Sequence, residues 1–174
     1  MRLRPAYSAL ILAALTLTGC DAPKPRGEAA KAQAAGGPKA PYDAAPVPAP
    51  PAWAQGLVGK TLSEAFAGSA KCMGNTDVVM KVYGGSPGGV QIHGWGWDPE
   101  RKVGVARVLL VNKDFRIVGA GQGGVPRPDV QAAGAGVTIP DAGWNADAPV
   151  AAGPLDAYGV LDEKTTCRLG HIEF

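Results

Sequence analysis

The sequence predicts an all-β fold: a small antiparallel β-sandwich of immunoglobulin-like form, placed after a signal peptide and a disordered linker. Three observations predict it. From residue 78 onward, seven short segments are rich in β-branched and aromatic residues. Turn-forming clusters separate them, and no helical intervals of the kind that build parallel sheets come between. Gly (25) and Pro (16) make up nearly a quarter of the 174 residues, which suits a fold with many turns.

The N-terminus reads as an address. Met1-Arg2-Leu3-Arg4 is a short basic start, Ala9 to Leu17 is an apolar run of nine, and small residues follow. These are the parts of a secretory signal, expected over residues 1–19. The run is far below the ~20 residues that span a bilayer. Leu17-Thr18-Gly19-Cys20 resembles the lipobox of bacterial lipoproteins. The resemblance implies that the Cys20 thiol receives a diacylglycerol, that the chain is cut before it, and that the new amino group is acylated. Each buried CH₂ contributes about 0.8 kcal/mol, so several acyl chains anchor firmly. The expected place is therefore the cell membrane, lipid-anchored and facing the periplasm. Asp21 follows Cys20, and in enteric members of the family Asp there marks inner-membrane retention. Inner and outer membrane both stay open.

Residues 21–54 hold twelve Ala and eight Pro. Prolines at 25, 38, 41, 46, 48, 50 and 51 forbid a continuous helix, because each lacks an N–H and clashes with the preceding turn. With little to bury, 20–54 reads as the lipid-bearing cysteine and a linker, with polyproline character near PVPAPP. As a coil it would reach about 30–35 Å. The folded domain is then expected over 55–174, large enough for a modest core.

Within it, Leu57 to Phe66 is expected to form one short helix. Strands follow at 78–82, 90–97, 103–111, 116–121, 143–150, 156–161 and 165–172. GGSPGG (84–89), DPERK (98–102), NKD (112–114) and DEK (162–164) mark the turns. Arg127-Pro128-Asp129-Val130 reads as a turn in which Asp129 caps a helical turn and Arg127 pairs with Asp129 or Asp98; a ligand clamp is the other reading.

Charge narrows the function classes. Residues 55–174 carry eleven Lys/Arg against twelve Asp/Glu, with no basic stripe. A nucleic-acid partner needs clustered cations to neutralise phosphates, so that class is set aside. Of three cysteines, one is assigned to lipid. Outside the cytoplasm the other two, Cys72 and Cys167, are expected to form a disulfide; two free thiols are the alternative.

Motifs for chemistry are weak. Gly119-Ala-Gly121-Gln-Gly123-Gly124 matches G-x-G-x-x-G, but Val125-Pro126-Arg127-Pro128 follows where a dinucleotide site needs a helix. Gly59-Lys60-Thr61 resembles the end of a P-loop, yet Ala54 stands where that loop needs glycine. His93, His171, Cys72, Cys167 and Asp98 lack metal-ligand spacing; Cys167 and His171 lie ~13 Å apart along a strand. Gly84-Gly-Ser86-Pro-Gly88 matches G-x-S-x-G, but it lies in the GGSPGG turn with a strand expected on either side, where a nucleophile elbow needs a helix after the serine. No catalytic residue, metal or cofactor is assigned.

The segment Gln91-Ile-His93-Gly-Trp95-Gly-Trp97-Asp98 is the most suggestive. Strand alternation puts His93, Trp95 and Trp97 on one face and Gly94 and Gly96 on the other. Either that face is core, or the rings form an exposed platform for sugars with His93 and Asp98 supplying hydrogen bonds. Trp144 is read the same way. The candidate ligand residues are thus His93, Trp95, Trp97, Trp144, Arg127 and Asp129.

GWGWD (94–98), RVLLV (107–111), IVGAG (117–121), VPRPDV (125–130), GW (143–144) and AYGVL (157–161) occur in that order. With them, residues 72–174 resemble a β-sandwich module at the extracytoplasmic C-terminal ends of some bacterial multi-span envelope proteins. That resemblance implies a paired cysteine and a non-catalytic sandwich. Here a lipid anchor and tether stand in place of membrane helices. The function expected is a membrane-tethered, non-catalytic envelope lipoprotein that binds or scaffolds an envelope protein or glycan, with membrane lipid held through Cys20. The alternatives are a glycan-binding module with an aromatic platform and, behind it, an envelope hydrolase.

Overall fold

The computed structural model describes residues 40–134 and 136–174. The expected signal peptide (1–19), Cys20 and residues 21–39 of the expected linker lie outside them. Ten strands carry the fold: β1 (Tyr42–Asp43), β2 (Gly68–Ala70), β3 (Met73–Tyr83), β4 (Gly89–Asp98), β5 (Val103–Gly104), β6 (Arg107–Asn112), β7 (Ile117–Val125), β8 (Gly143–Ala148), β9 (Leu155–Val160) and β10 (Thr165–Ile172). Two short α-helices, α1 (Leu62–Ala65) and α2 (Pro128–Ala132), and a 3₁₀ turn (Ala52–Ala54) complete the described residues. No described helix is long and apolar enough to cross a membrane.

The fold is all-β and sandwich-like, built from one continuous sheet in the order β1-β3-β4-β8-β7-β6-β9-β10-β2, with β5 paired to β4. It is not closed by hydrogen bonds. Instead β3 and β10 lie against each other: a Cβ on Gly170 of β10 would stand 2.6 Å from Thr76 N, and one on Gly74 of β3 would stand 3.0 Å from the Leu169 side chain. Only hydrogen at those positions allows so close an approach. The Cys72–Cys167 disulfide spans the same seam, with Cα atoms 5.6 Å apart.

The expected antiparallel pairing holds except at the two outermost strands. β1 runs parallel to β3, and β2 runs parallel to β10. Neither pair is joined by a tight hairpin, and long connections permit parallel entry.

The central core lies inside the rolled sheet. Alternate residues supply it: Val90 and Ile92 from β4, Val108 and Leu110 from β6, Trp144, Ala146 and Ala148 from β8, Leu155 and Ala157 from β9. Two patches of the outer face are covered as well. Leu109, Val111, Ile117 and Ala120 lie under Ala54, Phe66 and their neighbours. Trp97 lies under Val130, Val137 and Ala142.

Composition alone puts residues 40–54 in the linker, but the chain packs there. Val82 N–H donates to Pro41 O (2.9 Å), Gly84 N–H to Asp43 O (2.7 Å) and Gly85 N–H to Ala45 O (3.0 Å). Ala54 is fully buried. Proline cannot donate, yet the carbonyls of a proline-rich segment still accept, so the segment can lie along a sheet edge. The folded unit therefore starts before residue 55.

The helix expected over 57–66 is shorter, Leu62–Ala65. Gly59 has φ +93, which breaks the run, and Thr61 restarts it. Thr61 accepts from Glu64 N–H while its own N–H donates to Glu64 Oε2 at 2.7 Å, a reciprocal cap.

Candidate functional site

Between the two covered patches, the outer face of β4, β8 and β7 carries polar side chains. Strand alternation puts them there: Gln91 and His93 on β4 stand opposite Asp147 and Asn145 on β8, and Gln122 on β7 stands opposite Asn145. Trp95 and Trp97 border this row on β4, and Ala120 borders it on β7. Beside it lies an open cleft of about 500 Å³, lined by Ala49, Pro51, Gln122, Asn145 and Asp147 over Gly121 and Gly123.

Hydrogen bonds hold the row in place. His93 Nδ1 and Asn145 Oδ1 are 2.7 Å apart, and Arg127 Nη1 is 3.4 Å from His93 Nε2. An amide oxygen only accepts and a guanidinium only donates, so Nδ1 carries the proton and Nε2 the lone pair. Both ring nitrogens are thereby engaged. Asp147 Oδ1 accepts from Tyr83 Oη (2.8 Å) and from Gln91 Nε2 (3.1 Å). Burial, reinforced by the Asp147 carboxylate, pushes the Tyr83 phenol up, which keeps it a donor.

No known family model, curated protein or solved structure matches this chain.

The residues singled out in the sequence separate into three groups. Trp97 (2% exposed) and Trp144 (0%) are core, so neither offers a ring face to a ligand. Trp97 sits beneath the 130–142 segment, which a strand pattern alone does not reveal. Trp144 faces inward, where its indole meets the Gly94 position of β4. Trp95 is half-buried and packs with Trp97. Gln91 and His93 of that segment belong to the polar row, and Asp98 is buried and paired with Arg101 at 3.2 Å.

Arg127 and Asp129 form a structural clamp. Arg127 Nε and Nη2 donate to the two Asp129 oxygens at 2.8 and 2.7 Å, and its Nη1 also pairs with Asp77. These bonds, Asp129 foremost, push the Arg127 guanidinium up, and Arg127 holds Asp129 down at about 2. Asp129 lies in the first turn of α2 but gives no side-chain cap; the cap position is Arg127 itself. The carboxylate partners expected for Arg127 were Asp129 or Asp98; Asp129 pairs with it, and Asp77 takes the place of Asp98, because β3 lies alongside β4 at that register.

The glycine motif also finds its reason. Gly119 and Gly121 sit in β7, where a Cβ on Gly121 would collide with the Asn145 carbonyl of β8. Gly124 takes φ +87 at the irregularity before Val125. The run serves close strand approach.

Gln91, Asn145, Asp147, Tyr83 and Gln122 were not singled out in the sequence. The available signal was polar residues at every second position in two apolar strands. Nothing in one strand tells which other strand its polar side faces.

Proposed function

We propose that this chain is a lipid-anchored, extracytoplasmic binding module, tethered through Cys20, that binds or scaffolds another component of the bacterial envelope. The observation that carries the reading is that Asn145 and Asp147, held by His93 and Gln91, line an open cleft between two patches of the outer face that the chain itself covers. Oriented polar groups around a concave surface are what a specific ligand needs, since their ordering cost is already met by folding. The lipobox and the polar, proline-rich stretch after it support an anchored placement.

A glycan is the second reading, and the cleft favours it over an aromatic platform. The Gln122 and Asn145 amides and the Asp147 carboxylate above a glycine floor offer paired donors and acceptors suited to sugar hydroxyls.

The test is retention. The oxidised, tagged chain is incubated with sacculi, envelope polysaccharide and solubilised membrane protein. Retention of one fraction, lost in Gln122→Ala and Asn145→Ala chains that still fold, supports the reading. Equal retention by the variants, or none by the native chain, removes it.

A further inference from the structure

The half-buried and buried carboxylates of this fold are paired with cations, with one exception among the described residues. Asp43 binds Lys81 at 3.1 Å, Asp98 binds Arg101 at 3.2 Å, and Asp156 binds Arg168 at 2.7 Å and His171 at 3.0 Å. Asp147 is half-buried on β8 and has no Lys, Arg or His partner among the described residues. Its two donors, Tyr83 and Gln91, are neutral and both reach Oδ1. They orient the carboxylate without cancelling its charge. Oδ2 accepts no hydrogen bond from the described side chains. A carboxylate partly withdrawn from water interacts with a cation more strongly than an exposed one does.

An apolar pocket of about 270 Å³ adjoins the same residue. Val47, Pro48 and Pro50 form one wall, and Val58, Val118 and Pro149 form others, with Asp147 at its border. Proline walls suit an apolar lining, because they bring no N–H that must be satisfied and their φ is fixed in advance. The Val47 N–H is already used, donating to Pro87 O at 2.9 Å. The wall is thus tied down and the pocket is built before any ligand arrives.

We infer that Asp147 and this pocket form a site for a small amphipathic cation: a primary ammonium or guanidinium on Asp147 Oδ2, with a short apolar substituent beneath Val47–Pro50. The inference rests on the reading that the outer face is the ligand face, and it supplies the ligand chemistry. Charge selects the head group, since a carboxylate left without a cation repels anions. The pocket selects against bare ammonium, which buries no apolar surface.

The test uses the chain from residue 20 onward with Cys20→Ser, so that no lipid is attached and no detergent competes for the pocket. It is titrated with n-pentylammonium, 1-pentanol, n-pentanoate and ammonium chloride, and followed by amide NMR. Saturable shifts at Ala49, Val118 and Asp147 are expected with pentylammonium. Binding about tenfold weaker is expected with pentanol, as a charge-assisted hydrogen bond is lost. None is expected with pentanoate or ammonium. Asp147→Asn keeps an oxygen for Tyr83 and Gln91, and it is expected to weaken pentylammonium binding about tenfold with the rest of the spectrum unchanged. The head-group comparison stands even if that variant does not fold. Pentanol or pentanoate binding as tightly as pentylammonium overturns the inference, as does the lack of a saturable shift. Pentylammonium binding without retention of any envelope fraction would remove the envelope reading alone; retention without pentylammonium binding would remove this inference alone.

Discussion

Arg127 grips Asp129 with two parallel hydrogen bonds, at 2.8 and 2.7 Å, while its remaining nitrogen reaches Asp77 on β3. One guanidinium thus ties the start of α2 to the sheet, and α2 helps cover Trp97. Replacing it by Ala leaves Asp77 and Asp129 facing each other without a cation. Arg127→Ala is expected to lower stability by about 1–3 kcal/mol and to raise acrylamide quenching of Trp97. Arg127→Lys should recover only part of this, because an ammonium cannot form the two-pronged pair. Urea unfolding and quenching together decide it; unchanged quenching in Arg127→Ala would show that α2 is held otherwise.

The same pair sets a pH window. Arg127 first, through its hydrogen bonds, holds Asp129 down at about 2, below its ordinary 3.8. A depressed carboxylate contributes stability that is present above 3.8 and lost as the pH falls through about 2. Amide exchange protection in α2 is therefore expected to fall between pH 4 and 2 in the native chain, and less in Asp129→Asn. Loss of protection beginning near pH 6 would assign it to another group.

His171 behaves in the opposite sense. Hydrogen bonds to Glu173 (3.1 Å) and then Asp156 (3.0 Å) raise its pKa above 6.5. A raised histidine contributes stability that is fully present below 6.5 and lost as the pH rises through the folded value. NMR titration of the imidazole is expected to give a midpoint above 6.5, lowered by Glu173→Gln. A native midpoint at or below 6.5 would contradict the contacts.

The Cys72–Cys167 bond closes a loop of 95 residues across the β3–β10 seam. In the chain-entropy account such a loop is worth about 4–5 kcal/mol. Cys72→Ser with Cys167→Ser is expected to lose a stability of that order, read from urea midpoints. A loss under about 1 kcal/mol would mean that the unfolded chain holds the two ends together without the bond.

A chain beginning at residue 55 lacks the edge carbonyls of Pro41, Asp43 and Ala45 and the buried Ala54 with its neighbour Trp53. It is expected to be less stable than one beginning at 40 by about 3 kcal/mol or more, chiefly from the lost aromatic cover. Equal melting temperatures for the two chains would return residues 40–54 to the linker.

Much of this molecule could be read in one dimension. The strands at 90–97, 143–150, 156–161 and 165–172 lie within a residue or two of β4, β8, β9 and β10. Their β-branched and aromatic content and the turns between them are local properties, and local chemistry decides them. β1 and β2 were not legible, because two or three residues hydrogen-bonded at an edge carry no pattern of their own.

By itself, the sequence determined the all-β class, the positions of the main strands along the chain and which two cysteines remained to pair once one was assigned to lipid. Tertiary structure decided which face each alternation serves. His93, Trp95 and Trp97 share one side of β4, yet Val130, Val137 and Ala142 cover Trp97 and leave His93 half-buried beside Asn145. Asp147 is oriented by the neutral donors Tyr83 and Gln91, 64 and 56 residues away, and no cation among the described residues pairs with it. Period-two alternation says that a side chain points up or down. What lies above or below depends on contacts between distant parts of the chain, and those form only when the sheet rolls and its covering segments settle on it.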